Sequence, residues 1–151
     1  YLNVKEDYRT FITKPWKEHY SDLWIDNLLN IRHLYSIRFA KKDDVKTLNN
    51  LAKENSIYYI TAIPEEIRLS RQLWLEKSGF PQTNNLILSN HHDKDYYVRY
   101  YEIDLYVEDR VPIIKYLENI TTVIVKKQPW NEELWNDYEC INSISELERI
   151  I

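Results

Sequence analysis

From about residue 43 onward, short apolar runs alternate with stretches in which apolar residues recur every three or four positions. Asp43 is placed to cap a helix in which Val45, Leu48, Leu51 and Ala52 share one face. Residues 57–60 form a β-rich run. Pro64 then suits the first turn of a helix with Ile67, Trp74 and Leu75 on its apolar face, and Gly79 suits its end. Residues 86–88 predict a buried strand, 93–101 a short helix, 104–107 a strand, 111–117 a helix and 121–125 a strand. Ser143 and Glu146 have capping-box spacing ahead of a last short helix. Nearer the start, Tyr1 to Val4 predict a short strand. Trp16, Tyr20, Leu23, Trp24, Leu28 and Ile31 make a helical stripe over residues 15–31.

Strand and helix in alternation define an α/β fold: a parallel sheet with helices on both faces. Ligands in such sheets sit beyond the carboxyl ends of the strands. The residues at those ends are therefore the candidates for chemistry. Thr61 and Ala62 follow the strand at 57–60, where a hydroxyl and helix-opening amides hold an anionic oxygen or simply cap a helix. Glu108 and Asp109 follow the strand at 104–107, either as oxygen ligands for Mg²⁺ or as a solvated loop. Lys94 opens a helix between them, where it neutralises a phosphate or stands free in solvent.

Composition narrows the function classes. The 151 residues suit one domain, and 44% hydrophobic with 29% charged residues is a globular balance. A formal net charge of −4 argues against general nucleic-acid binding. One cysteine, Cys140, excludes an internal disulfide framework and suits a reducing interior, so a cytoplasmic setting is expected. No apolar run reaches the roughly 18 residues of a membrane span. Two further features have bland alternatives. Tyr96, Tyr97, Tyr100 and Tyr101 either stack on a base or pack on and beside the sheet. His91 and His92, being adjacent, point opposite ways on a strand and make poor joint ligands.

Taken in order, Tyr59-Ile60-Thr61-Ala62-Ile63-Pro64, Trp74-Leu75, Gly79-Phe80-Pro81, Lys94, Ile103 to Asp109 and Pro129-Trp130-Asn131 resemble the 5′(3′)-deoxyribonucleotidase branch of the haloacid-dehalogenase superfamily. The resemblance covers about residues 43–131. It implies a doubly wound, mainly parallel five-stranded sheet ordered 3-2-1-4-5, with Tyr1 to Val4 at its centre and a short helical cap at about 8–40. It further implies phosphate binding by Thr61, Ala62 and Lys94, and Mg²⁺ at Asp109 and Glu108 in an active enzyme. Ile63 stands where that branch often has arginine.

The first motif departs from the family. An aspartate nucleophile and a second aspartate as general acid are what phosphoryl transfer of this type needs. On this alignment Asn3 takes the nucleophile position and Lys5 the acid–base position. An amide is a far weaker nucleophile, and an ammonium repels a metal ion. The expectation is a catalytically impaired relative that keeps a site for a nucleotide or small phosphate, metal-free, with Lys5 facing Asp109. Two alternatives stay open. One is an active, Mg²⁺-dependent nucleoside monophosphate phosphatase whose nucleophile segment lies ahead of Tyr1. The other is a protein-interaction module on the same fold.

Overall fold

The computed structural model of the protein describes residues 40–63, 65–89 and 93–151. Helix α1 spans Lys42–Leu51 and leads to β1, Tyr59–Thr61. A 3-10 turn at Glu65–Ile67 runs into α2, Arg68–Lys77, followed by β2, Leu86–Leu88. Helix α3 is Lys94–Tyr100, β3 Leu105–Glu108, α4 Val111–Leu117 and β4 Thr122–Lys126. A 3-10 segment at Pro129–Leu134, a short β5 at Cys140–Ile141 and a 3-10 helix at Ile144–Arg149 complete the described chain. The α/β alternation is therefore present. The expected strand Tyr1 to Val4, the stripe at 15–31, and His91 and His92 lie outside the described residues.

Boundaries move where side chains claim the backbone. The first expected strand slides from 57–60 to Tyr59–Thr61. The Ile57 amide donates to Gln82 Oε1 at 2.8 Å and its carbonyl accepts from Asn85 Nδ2 at 2.9 Å, so neither joins a ladder. Asp43 does not cap α1. Lys41 holds the N-cap position, and Asp43 sits in the first turn, where a carboxylate favours the positive end of the helix dipole. Its neighbour Asp44 instead accepts from the Ser143 hydroxyl at 2.5 Å and the Ser145 amide at 2.9 Å, tying α1 to the C-terminal 3-10 helix. That bond replaces the expected Ser143–Glu146 capping box, and Glu146 accepts from the Asn142 amide at 3.0 Å. Gly79 ends α2 as expected, at φ +82°, with its amide on Glu76 and the Phe80 amide on Leu75.

The strands form two parallel sheets among the described residues. In one, β1 pairs with β2, Tyr59 opposite Leu86. In the other, β3 pairs with β4, Leu105 opposite Thr122, and β4 with β5, Val125 opposite Cys140. Alternation along β4 sends Val123 and Val125 to one face and Ile124 to the other. Val123 and Val125 pack with Val98 of α3 and Ile113, Ile114 and Leu117 of α4. Ile124 packs with Ile141 and Leu147, against which Leu51 of α1 rests. A groove of about 720 Å³ runs between the two sheets, lined by residues 57–61 on one side, 103–107 on the other, and Leu51, Leu75 and Leu147. Among the described residues, β1 and β3 each pair with a single strand, and both line this groove. No helix of the described residues is long and apolar enough to cross a membrane.

Candidate functional site

The carboxyl ends of β1, β2 and β3 bring together the groups with chemical potential. The pleat of β3 turns Tyr106 and Glu108 to the face that carries Val98. On α3, Lys94 lies four residues before Val98, so one buried helix face carries both. The result is a buried ion pair. Lys94 Nζ donates to Glu108 Oε2 at 2.6 Å, with the two residues only 6% and 7% exposed. The ammonium also lies 5.6 Å from the centroid of the Tyr106 ring. The sequence offered Glu108 as a Mg²⁺ ligand or part of a solvated loop, and Lys94 as a phosphate partner or a solvent-exposed residue. Strand β3 instead runs one residue further, which puts Glu108 inside.

Glu108 has both oxygens engaged. Its Oε1 accepts the amides of Asp109 and Arg110 at 3.0 and 3.2 Å. Burial works to raise its carboxyl, but the Lys94 ammonium and these bonds outweigh it and hold the carboxyl below its usual range. Asp109 goes the other way. Burial first, then the Glu108 charge and a hydrogen bond shared with Glu108, push it up to about 6. Of the two adjacent carboxyls, Glu108 is the ionised partner of Lys94, and Asp109 is the one that takes up a proton in mild acid.

This arrangement bears on how the described residues would receive Mg²⁺. A hard cation held by two carboxylates needs their oxygens free. Here Lys94 and two amides occupy Glu108, and Asp109 shares a hydrogen bond with Glu108. Among the described residues, no three His, Cys, Asp or Glu side chains cluster to hold a metal ion. The donor set of the described residues fits Mg²⁺ poorly.

A second hub fixes the loop after β3. Asn131, fully buried, fills its hydrogen-bonding capacity. Its Nδ2 donates to the carbonyls of Asp109 at 2.8 Å and Lys126 at 3.0 Å. Its Oδ1 accepts from the Gln128 amide at 3.0 Å and Trp135 Nε1 at 2.8 Å. Trp130 Nε1 adds a bond to the Asp109 carbonyl at 3.1 Å. The Pro129-Trp130-Asn131 run thus locks the turns after β3 and β4 to each other, and Gln128 and Asn131 form a capping box.

Thr61 ends β1 and lines the groove, with Ala62 following it. Thr61 and Lys94 share no hydrogen bond or ion pair among the described residues. Asn3 and Lys5 lie outside the described residues, as does the expected Lys5–Asp109 contact. One polar residue was missed in the sequence. Ser89 follows β2 and is 7% exposed, and its Oγ has no hydrogen-bond partner among the described residues. Its only signal was a hydroxyl directly after a strand, which the sequence reading used for Thr61 and not here. No family model, curated protein or solved structure matches the chain.

Proposed function

We propose that the protein is a relative of the haloacid-dehalogenase-like 5′-nucleotidases that binds a nucleotide or small phosphate without turning it over. The observation that carries this reading is the Lys94–Glu108 pair. A buried ion pair adds little net stability, so its place at the carboxyl ends of parallel strands points to use and not to folding. One of the three ammonium donors is spent on Glu108, and the others suit a phosphate oxygen. Thr61 and Ala62 complete the anion side in this reading. Asn3 and Lys5 take the places of nucleophile and acid, which leaves chemistry impaired and a metal unnecessary. In this reading the two sheets belong to one parallel sheet, with the expected central strand between β1 and β3 so that the order is β2, β1, central strand, β3, β4, and β5 extends it. What supports that order is that β1 and β3 both line the groove and, among the described residues, each pairs with a single strand. A cytoplasmic setting fits the lone thiol.

One observation favours a protein-interaction module instead. Tyr96, Tyr100 and Tyr101 are exposed at 58%, 65% and 37%, with the Tyr96 and Tyr100 rings stacked at 5.7 Å, an aromatic surface of the kind that partners cover. Calorimetric titration of the full chain with inorganic phosphate and with a nucleoside monophosphate, with and without Mg²⁺, separates the readings. Weak binding indifferent to Mg²⁺, with no phosphate released, is expected. Robust release with Mg²⁺ overturns impairment in favour of an active phosphatase. No binding of either ligand overturns the site and favours the interaction module.

A further inference from the structure

The amide of Ser89 donates to the carbonyl of Thr61 at 3.0 Å, so the β1–β2 ladder continues one residue past β2. Side chains alternate along that ladder. Ser89 therefore shares a face with Ile87, and Ile87 is paired with Ile60. Ile60 packs on the cluster that holds Val98 and Tyr106. That is the face on which Lys94 and Glu108 are buried. Three polar residues, each more than nine-tenths buried, thus lie at the carboxyl ends of β2 and β3 on the side that carries the cluster of Val98 and Tyr106: Ser89, Glu108 and, on the helix packed there, Lys94.

Two of them satisfy each other. Ser89 does not: its Oγ is sealed from solvent and finds no acceptor or donor among the described residues. A buried hydroxyl without a partner costs free energy that a methyl group in its place would not. Folding gains nothing from it, whereas a ligand oxygen brought beside Lys94 would give it an acceptor.

We propose that Ser89 is a further binding residue of this site, its hydroxyl donating to an oxygen of the same phosphate group that Lys94 neutralises. The inference rests on the phosphate-binding reading above. Lys94 supplies charge, and Ser89 supplies a directed neutral donor from β2, a strand the family resemblance did not implicate. Together they select a tetrahedral anion with several acceptor oxygens over a single halide ion.

The test compares Ser89→Ala and Ser89→Thr with the unmodified full chain. Inorganic phosphate binding is read by calorimetry and thermal stability without ligand by calorimetric unfolding. Ser89→Ala should weaken phosphate binding about tenfold, the value of one hydrogen bond to a charged acceptor. Its melting temperature should stay the same or rise, since no internal bond is lost. Ser89→Thr, which keeps the hydroxyl, should recover part of the affinity. If Ser89→Ala binds phosphate as the unmodified chain does, this inference falls while the phosphate reading stands. If Ser89→Ala instead melts several degrees lower with unchanged affinity, the hydroxyl serves the fold and the inference is overturned. If the unmodified chain binds no phosphate, both fall together.

Discussion

Removing the Lys94 ammonium would leave Glu108 as a carboxylate with 7% exposure and no cation beside it. Lys94→Met is therefore expected to cost about 3–5 kcal/mol in urea unfolding, the usual result of breaking a buried pair from one side. The double change Lys94→Met with Glu108→Leu should recover most of that loss, because no charge is then stranded. Asp109 gives a pH signature of opposite sign to most carboxylates. Its pKa rises from an ordinary 3.8 to about 6 on folding, so between those values the folded chain binds more protons than the unfolded one. Stability from this group is full below pH 4 and is lost as pH rises toward 6. Glu108, held low, works the other way: its contribution is present above its ordinary range and fades as pH falls. Comparing the unmodified chain with Asp109→Asn in the presence of a chelator isolates the first effect. The difference should amount to about 1–2 kcal/mol across that window, after allowance for partial solvent screening. A difference that grows with rising pH in the unmodified chain's favour would show that Asp109 is ionised and paired.

Elements that depend on apolar periodicity were legible in the sequence. Leu86–Leu88 and Val111–Leu117 fall where the pattern put them, since each buries its own side chains against a neighbour. Elements whose ends depend on polar side chains were not. Gln82 and Asn85 delay β1, and Asp44 takes Ser143 away from its local cap, and both effects act over 25 residues or more. Strand β5 escaped notice because two residues carry no period, and it exists through the amide and carbonyl groups that β4 offers. The site was half legible. The strand-end rule finds Thr61, Glu108 and Asp109, and the order of motifs finds Lys94. Nothing in a single sequence says that Lys94 and Glu108 pair, since 14 residues separate them and only the shared sheet face joins them. Asn131 was read as part of a motif, and its use of all four hydrogen-bonding positions became visible only with both flanking loops in place.

At the scale of the molecule, the groove between the sheets is where the five-stranded proposal can be tested. Within the five-stranded reading, the backbone amides at 58–60 and 105–107 that point into the groove are hydrogen-bonded and exchange as slowly as those between β3 and β4. Hydrogen exchange on the full chain measures this directly, and rapid exchange along both edges would show two independent sheets. The Asn131 clamp bears on how the proposed ligand would be received. The Asp109 carbonyl is held twice, by Asn131 and Trp130, and the same amide holds Lys126. Those loops lose their conformational entropy during folding, so a phosphate bound as proposed would not have to order them again on arrival.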